Sequence, residues 1–232
     1  MNQHQRTYLL WKQENVEKMQ DHCVLIFGCG GVGSYVVEGL VRAGIGNLVL
    51  FDSDEISITN LNRQIMATTQ TVGQSKVQVL KMRALQINPE LNIKVYSEFV
   101  TEENLSSLLQ SIPSITYMVD AIDTVSSKLA IIQYANDKTI PLISCMGTGN
   151  KLDPTCFEIA DIQKTSVCPL AKVIRKELRN RKISHLKVLY SKEEPKQFSQ
   201  DEAHTTASIS FVPSVAGLII SGEVIKDICN IK

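Results

Sequence analysis

A glycine-rich turn limits the fold of this chain more than any other feature. Gly28-Cys29-Gly30-Gly31-Val32-Gly33 fits the pattern G-x-G-x-x-G and follows the apolar run Cys23–Phe27. Such a run, ended by glycine, is typical of a strand buried on both faces of a parallel sheet. Residues 34–43 then carry apolar side chains at helical spacing. Glycines allow a tight turn and close approach to a phosphate, which the amides and positive end of the helix receive. The predicted nucleotide-binding glycines are Gly28, Gly30, Gly31 and Gly33.

The segments that follow alternate between strand and helix patterns. A second apolar run over residues 47–51 ends at Asp52. Further strands are predicted over residues 92–96, 115–119 and 141–144, and helices over 75–86, from 102 onward, and over 126–136. This order predicts an α/β fold, a Rossmann-like doubly wound and mostly parallel sheet with helices on both faces.

The two ends of the chain give weaker patterns. Apolar residues recur at loosely helical spacing over residues 7–20, which predicts one short amphipathic helix. The alternation fades between residues 150 and 200, so we expect a C-terminal loop-rich extension with one basic helix over 171–181. Residues 209–225 are apolar, and they predict a last strand leading into a buried helix.

Composition excludes several classes of protein. The 232 residues include 24 Lys plus Arg and 24 Asp plus Glu, for a formal net charge of +0. A nucleic-acid partner would therefore have to meet a local basic patch. No apolar stretch reaches the roughly 20 residues that cross a bilayer, so we predict no membrane span, no secretory signal and a cytoplasmic location. The six cysteines form no Cys-x-x-Cys pair, which indicates neither a zinc knuckle nor a disulfide framework.

Polar residues after the second strand indicate what the nucleotide is used for. Asp52 ends that strand, where a carboxylate can accept hydrogen bonds from both ribose hydroxyls. The glycine motif and this carboxylate alone would favour a dinucleotide dehydrogenase. A hydride-transfer site has little use for the polar residues that follow, which are Asp54, Asn60, Asn62, Arg63 and Gln64. Attack of a carboxylate on an α-phosphate needs cations on the phosphates and a metal to neutralise charge, so the pattern favours an adenylating enzyme.

Two cations and two carboxylates are the candidates for that reaction. Arg63 and Lys76 are suited to bind phosphates. Asp120 and Asp123 follow a buried run, and open sheets bind ligands at the carboxyl ends of their strands. A carboxylate at such a strand end can hold Mg²⁺.

Several strings of the sequence resemble the ThiF, MoeB and ubiquitin-activating-like family of adenylating enzymes. They are GCGGVG, LFDSD, TNLNRQ, VGQSK with INPE, and VDAIDT. They occur in the family's order over roughly residues 20–150, and an ordered set is far more specific than one glycine motif. Further strings are similar to the family's tRNA threonylcarbamoyladenosine dehydratase branch and extend the resemblance over nearly the whole chain. These are VRAGIGNLVL, FVTEEN, DPT, the segment ending in PLAK, and YSKEEP.

The resemblance implies a reaction and a domain organisation. It implies one ThiF-type adenylating domain over residues 1–232, with a nucleotide-binding core at 21–150 and a region for substrate, tRNA and dimer contacts at 151–232. It implies that ATP with Mg²⁺ activates the carboxylate of threonylcarbamoyladenosine in tRNA as an acyl adenylate. Pyrophosphate leaves, and the adenylate then cyclises with net loss of water.

Matching by motif also implies a role for each site residue. Gly31 lies against the phosphates and Asp52 holds the ribose. Asn60 contacts the triphosphate together with Arg63 and Lys76. Asp123 binds the Mg²⁺. The predicted catalytic residues are therefore Arg63, Lys76 and Asp123, and the remaining glycines, Asp54 and a supporting Asp120 complete the nucleotide site.

Departures from the family pattern bear on which reaction is catalysed. MoeB-like and ThiF-like members usually carry two Cys-x-x-Cys zinc pairs, which this chain lacks. That argues against the main alternative, an adenylyltransferase for a ubiquitin-like sulfur-carrier protein. Cys145, Cys156 and Cys168 are the candidate acceptors of an activated carrier, and none has an activating pattern. A regulatory nucleotide-binding module and an NAD dehydrogenase are also compatible with the glycine motif.

Larger dehydratases carry a cysteine where this chain has Lys187-Val188-Leu189. This departure argues against a sulfur-relay role through that position. Because cyclisation through the adenylate needs no protein thiol, a sulfur-relay partner protein stays an open expectation with no residue assigned to it.

Clustered cations in the second half of the chain fit the tRNA backbone, because cations displace counterions from phosphates. They are Lys164, Lys172, Arg175, Lys176, Arg179, Arg181, Lys182 and Lys187. A solvated helix face is the alternative interpretation. Adenylating relatives are typically homodimers in which an N-terminal arginine reaches the partner's triphosphate, and Arg6 is the candidate here. The apolar residues 211–225 fit either plain core or part of a dimer face.

Overall fold

A seven-stranded sheet with helices on both faces forms the fold in the computed structural model. The structure describes residues 3–112, 114–197 and 206–231. The strands are β1 (Cys23–Phe27), β2 (Asn47–Phe51), β3 (Asn92–Tyr96), β4 (Tyr117–Asp120), β5 (Leu142–Cys145), β6 (Phe157–Asp161) and β7 (Lys187–Ser191). The helices are α1 (Gln5–Trp11), α2 (Gln13–Lys18), α3 (Gly33–Ala43), α4 (Lys76–Ile87), α5 (Glu102–Gln110), α6 (Val125–Asp137), α7 (Pro169–Asn180) and α8 (Phe211–Cys229).

The strand order places a topological switch point beside the glycine turn. The order is β3-β2-β1-β4-β5-β7-β6, and all neighbouring pairs are parallel except β6 with β7. From β1 the chain moves outward through β2 and β3, then returns to place β4 on the other side of β1. At such a reversal the connections leave on opposite faces and open a crevice at the carboxyl ends of the strands. The predicted doubly wound α/β sheet is confirmed.

Alternate side chains of β1 supply the two faces of the sheet. Val24 and Ile26 are fully buried in the layer that contains α3 and α8, and Leu25 and Phe27 are fully buried in the layer that contains α5 and α6. Because successive side chains of a strand point to opposite faces, a central strand needs an unbroken apolar run. This requirement explains the sequence pattern that predicted β1.

The C-terminal segment is one helix, so the predicted last strand before it is wrong. Pro213 lies in the first turn of α8, where the missing N–H would have no helical partner in any case. Gly217 lets α8 approach α3, since a Cβ there would lie 2.4 Å from the carbonyl oxygen of Val32. Pro213 and Gly217 therefore both belong to the helix, the first in its N-terminal turn and the second at its contact with α3. Although α8 is apolar, none of the helices in the described ranges is long and apolar enough to cross a membrane.

Two further expectations about the ends of the chain are corrected. The loop-rich extension contains β6 and β7, which continue the main sheet. Edge strand β6 carries Glu158 and Asp161, and charged side chains on an edge strand hide the apolar alternation that predicts strands. The single N-terminal helix is instead α1 and α2, separated at Lys12, whose φ of 56° cannot continue a right-handed helix.

Gly33 gives the first testable prediction, because the turn leaves no room for a side chain there. A Cβ on Gly33 would lie 1.8 Å from the carbonyl oxygen of Gly28. We expect Gly33→Ala to lower the free energy of unfolding by about 3 kcal/mol, measured by urea denaturation. Gly222→Ala is the matched control, because a Cβ there meets nothing within 4 Å. A Gly33→Ala protein as stable as Gly222→Ala would contradict the close packing.

Candidate active site

A cavity at the carboxyl ends of β1, β2 and β4 brings most of the predicted nucleotide-binding residues together. Its volume is about 530 Å³. The predicted residues that line it are Gly28, Gly30, Gly31, Asp52, Asp54, Asn60, Arg63, Lys76 and Asp123. A roomier groove of about 730 Å³ lies at the amino ends of β5 and β7 and contains none of them. The cavity at the glycine turn is therefore the candidate site.

The glycine turn presents free amides to this cavity. Gly28 has a φ of 84°, and a Cβ there would lie 2.7 Å from the carbonyl oxygen of Ala121. Among the described residues, the amides of Gly30, Gly31 and Val32 donate to no protein acceptor. The N-terminus of α3 adds the positive end of its helix dipole. Free amides at a helix start form an anion site, so the turn fits a phosphate.

Asp52 is held by the turn itself. Its Oδ2 accepts a hydrogen bond from the Cys29 amide at 2.6 Å, and its Oδ1 accepts one from the Asp54 amide at 2.9 Å. Burial raises the pKa of the Asp52 carboxyl above its ordinary value, opposed chiefly by the nearby Lys76 ammonium. Both oxygens are held in place by these amides, and Asp52 lines the cavity, as expected of a ribose-binding carboxylate.

Arg63 crosses the glycine turn. A Cβ on Gly31 would lie 3.5 Å from Arg63 Cδ, so the guanidinium stem runs over this glycine. Nη1 of Arg63 donates to the Thr59 carbonyl oxygen and to Asn62 Oδ1, both at 2.9 Å. The remaining guanidinium donors have no hydrogen-bond acceptor among the described residues, and they can bind an anion in the cavity that Arg63 lines.

Lys76 is positioned by Asp54. The Lys76 side chain is 8% exposed, and its Nζ lies 2.6 Å from Asp54 Oδ2. Asn60 is also committed in part, since its Oδ1 accepts from the Ser57 amide at 3.0 Å and leaves its side-chain NH₂ for a ligand. Asp54 therefore orients a cation in the site, and its own contact with a nucleotide stays a prediction.

Asp123 lies at the cavity with a solvent-facing carboxylate. Among the residues that the structure describes, that carboxylate accepts one hydrogen bond, a long one from Thr124 Oγ1 at 3.5 Å. Across residues 3–112, 114–197 and 206–231, no cluster of three or more His, Cys, Asp or Glu side chains is placed to hold a metal ion. A lone carboxylate nevertheless fits Mg²⁺, which keeps several waters and takes its other ligands from phosphates.

Two predicted residues do not line the cavity. Asp120 is completely buried and pairs with Lys128 at 2.7 Å. It therefore lies behind the cavity wall, where it cannot contact a nucleotide directly. Gly33 is packed against the Gly28 carbonyl oxygen and shapes the turn.

The cavity also contains residues to which the sequence analysis assigned no role in the site. Gln64, one of the polar residues after the second strand, is 6% exposed, and its Oε1 is buried without a partner among the described residues. Glu98 and Phe99 follow β3, and the rule about strand ends would have found them. Thr206 and Ser208 come from a distant segment, for which the sequence carries no signal.

Two of the candidate cysteines have thiols that are not activated. Burial raises the pKa of the Cys145 thiol to about 12. A hydrogen bond to Asp153 raises the pKa of the Cys156 thiol. Cys168 is buried. Since the thiolate is the nucleophile, neither Cys145 nor Cys156 is prepared to accept an activated acyl group.

Comparison with known proteins gives matches over nearly the whole chain. Residues 4–232 match the ThiF family. The tRNA threonylcarbamoyladenosine dehydratase of Bacillus subtilis (strain 168) is 40% identical over 243 residues, which cover 98% of this chain and 95% of that protein. The Haemophilus influenzae molybdopterin-synthase adenylyltransferase is 34% identical over 128 residues, which cover 55% of this chain and 51% of that protein.

Solved structures agree with the sequence matches. The Escherichia coli tRNA N6-threonylcarbamoyladenosine dehydratase in complex with AMP superposes with a TM-score of 0.90 at 31% identity, covering 97% of this chain and 93% of that chain. Its complex with ATP superposes with a TM-score of 0.88 at the same identity and coverage. On the family match and the full-length similarity, this chain belongs to the ThiF family.

Proposed function

We propose that the protein is an ATP-dependent dehydratase that adenylates the carboxylate of threonylcarbamoyladenosine in tRNA and cyclises the product. The observation that carries the proposal is the convergence of free turn amides, Asp52, two cations and Asp123 on one cavity. The chain that holds this cavity matches dehydratases over almost its entire length. The same cavity supports ATP as the nucleotide, because its charges suit ribose and phosphates.

In the first step, a carboxylate oxygen of the substrate attacks the α-phosphorus of ATP and pyrophosphate leaves. Asp52 holds the ribose, and the turn amides hold the phosphates. Arg63 and Lys76 stabilise the charge that develops on the phosphate oxygens. Asp123 would hold Mg²⁺, which, when bound, neutralises phosphate charge.

In the second step, the nearby carbamoyl nitrogen or oxygen of the substrate attacks the activated carbonyl carbon. AMP leaves with one oxygen of the original carboxylate, so the nucleoside loses one water overall. The substrate supplies its own nucleophile, in agreement with the raised pKa values of the Cys145 and Cys156 thiols. The role of the protein here is to hold the adenylate away from water.

The proposal is tested by supplying the purified protein with ATP, Mg²⁺ and either modified or unmodified tRNA. We expect pyrophosphate release only with tRNA that bears threonylcarbamoyladenosine, and a nucleoside lighter by one water. Release that ignores the modification, or that requires a small protein with a Gly-Gly tail, would contradict it and favour activation of a carrier protein.

The raised pKa of Asp52 predicts a pH dependence for ATP binding. A protonated carboxyl binds ribose hydroxyls less well than a carboxylate, and burial moves protonation to a higher pH than for an ordinary aspartate. We therefore expect the KM for ATP to rise as pH falls through this raised pKa. Asp52→Asn should bind ATP weakly at every pH and lose this step. An unchanged pH profile in Asp52→Asn would contradict the assignment.

A basic face on α7 supports tRNA as the partner. Lys172, Lys176 and Arg179 are exposed at helical spacing, and Leu170 in the first turn of α7 lines the cavity. A tRNA seated on this face would pass close to the site. Lys164 and Lys182 are exposed nearby in the sequence.

Three cations that the sequence grouped with this face are engaged elsewhere. Lys187 lies on β7 and pairs with Asp227 at 2.7 Å and with Glu223 at 2.9 Å. Arg175 Nη1 donates to the carbonyl oxygens of Ile162 and Thr165. Arg181 lies 4.0 Å from Glu102.

Reversing charge on the α7 face should weaken tRNA binding. For the double variant Lys176→Glu, Arg179→Glu we expect the KM for tRNA to rise at least about tenfold, the equivalent of about 1.4 kcal/mol. The slope of log affinity against log salt should also fall by about 2. Lys94→Glu, exposed on edge strand β3, is the control. Equal effects of the double variant and the control would contradict the assignment.

Exposed apolar residues support a homodimer. On α1, Leu9 is 85% and Leu10 is 91% exposed, and on α8 Phe211 and Leu218 are about half exposed. Arg6 is exposed on α1 and does not line the cavity of its own chain. Contact of Arg6 with the partner's triphosphate stays a prediction, which sedimentation and Arg6→Ala kinetics would test.

A further inference from the structure

A buried ion pair lies directly behind the candidate active site. Lys128 on α6 and Asp120 at the end of β4 are both 0% exposed. The ammonium donates to Asp120 Oδ2 at 2.7 Å, to Ser144 Oγ at 3.2 Å and to the Cys145 carbonyl oxygen at 2.9 Å. These three acceptors use all three of its protons. Ser144 Oγ in turn donates to Asp120 Oδ2 at 2.6 Å.

The pair is connected to two neighbouring segments of the cavity wall, one after β4 and one after β5. Asp120 Oδ1 accepts from the Ile122 amide at 3.2 Å, and Ile122 directly precedes Asp123 in the wall formed after β4. Cys145, whose carbonyl oxygen accepts from Lys128, is the last residue of β5. It is also the first of residues 145–149, which line the cavity. One ammonium therefore fixes the turn that carries Asp123 relative to the segment after the neighbouring strand.

Stability alone does not account for this arrangement. Burying two charges removes them from water, and a buried pair can often be replaced by uncharged groups of similar volume without loss of stability. What an uncharged replacement cannot reproduce is a set of three directed hydrogen bonds that hold two strand ends in register.

We propose that Lys128 is a positioning residue for the adenylation reaction and acts through Asp120 and the Cys145 carbonyl on the geometry of the cavity. The inference rests on the proposed function, because the reaction supplies the readout. Lys128 does not line the cavity, so its effect is on where Asp123 and residues 145–149 are held. Misplacement by about 1 Å at a reacting centre can cost about 10²-fold in rate.

The test compares the wild type with one double variant, which carries both Lys128→Met and Asp120→Asn. This variant removes both charges and keeps the side-chain volumes similar. We expect its thermal midpoint within about 4 °C of wild type, its kcat for pyrophosphate release lower by about 10²-fold, and its KM for ATP little changed. Lys138→Met, exposed at the end of α6, is the control and should behave as wild type.

Wild-type kcat in a folded double variant would overturn the proposal. Should the double variant fail to fold, Ser144→Ala decides, because it keeps both charges and removes one acceptor. A kcat lower by about tenfold in Ser144→Ala supports the positioning role, and an unchanged kcat overturns it. A wild-type protein that releases no pyrophosphate with modified tRNA would instead refute the proposed function, which separates the two failures.

Discussion

Replacing Asp123 by alanine is expected to lower the rate of pyrophosphate release by about 10³-fold, since a bound metal supplies several kcal/mol of charge stabilisation. The Asp123 carboxylate lies at the cavity and is the one assigned to Mg²⁺. Its side chain is exposed and makes one long hydrogen bond, so the free energy of unfolding should stay within about 0.5 kcal/mol of wild type. Kinetics and urea denaturation measure the two effects.

Asp137→Ala is the matched control for this prediction. Asp137 is an exposed aspartate at the end of α6, away from the cavity, and its removal should leave kcat unchanged. Binding of Mn²⁺, followed by its paramagnetic effect on water protons in the presence of ATP, gives a readout besides activity. Wild-type pyrophosphate release by Asp123→Ala would remove Asp123 from the mechanism.

Replacing Arg63 by alanine should lower kcat/KM for pyrophosphate release by about 10²-fold or more, the usual cost of removing one donor to developing charge. The guanidinium stem crosses Gly31, next to the free amides of the turn. Its Nη1 is held by Thr59 and Asn62, so part of the guanidinium of this cavity-lining residue is ordered in advance.

Arg63→Lys separates charge from geometry. Lysine keeps the positive charge and lacks the planar fork that binds phosphate through two donors, so we expect an intermediate rate. Loss of the two Nη1 hydrogen bonds should reduce stability by about 1–3 kcal/mol in Arg63→Ala. A kcat/KM of Arg63→Ala equal to that of wild type would show that the charge is not needed.

The parts of the site that follow strand ends could be predicted from the sequence. Asp52 and Asp123 are close to buried runs, and in a parallel sheet the carboxyl ends of neighbouring strands share one edge. Glycine spacing located the turn after β1, which lies at the same edge of the sheet and lines the cavity. Local pattern and sheet topology together were sufficient to place these groups.

Other parts depend on contacts between distant segments. Asp120 has the sequence position of a ligand residue, yet Lys128 and Ser144 hold it behind the wall, and no spacing rule shows that pairing. Gln64 Oε1 is buried and has no partner among the described residues, a result of packing by distant segments that no local pattern shows. In α8, Gly217 is needed for close packing against α3, and this contact between distant segments is not visible in the local sequence pattern.

The central claim is that the substrate carboxylate is activated as an acyl adenylate, and an oxygen-18 transfer experiment tests it most directly. tRNA carrying threonylcarbamoyladenosine labelled with oxygen-18 in the carboxylate is incubated with the protein, ATP and Mg²⁺, and the AMP is analysed by mass spectrometry. The proposed reaction predicts AMP with one labelled oxygen and a cyclised nucleoside that retains the other. Unlabelled AMP alongside a dehydrated nucleoside would contradict the adenylate and require a different route for the loss of water.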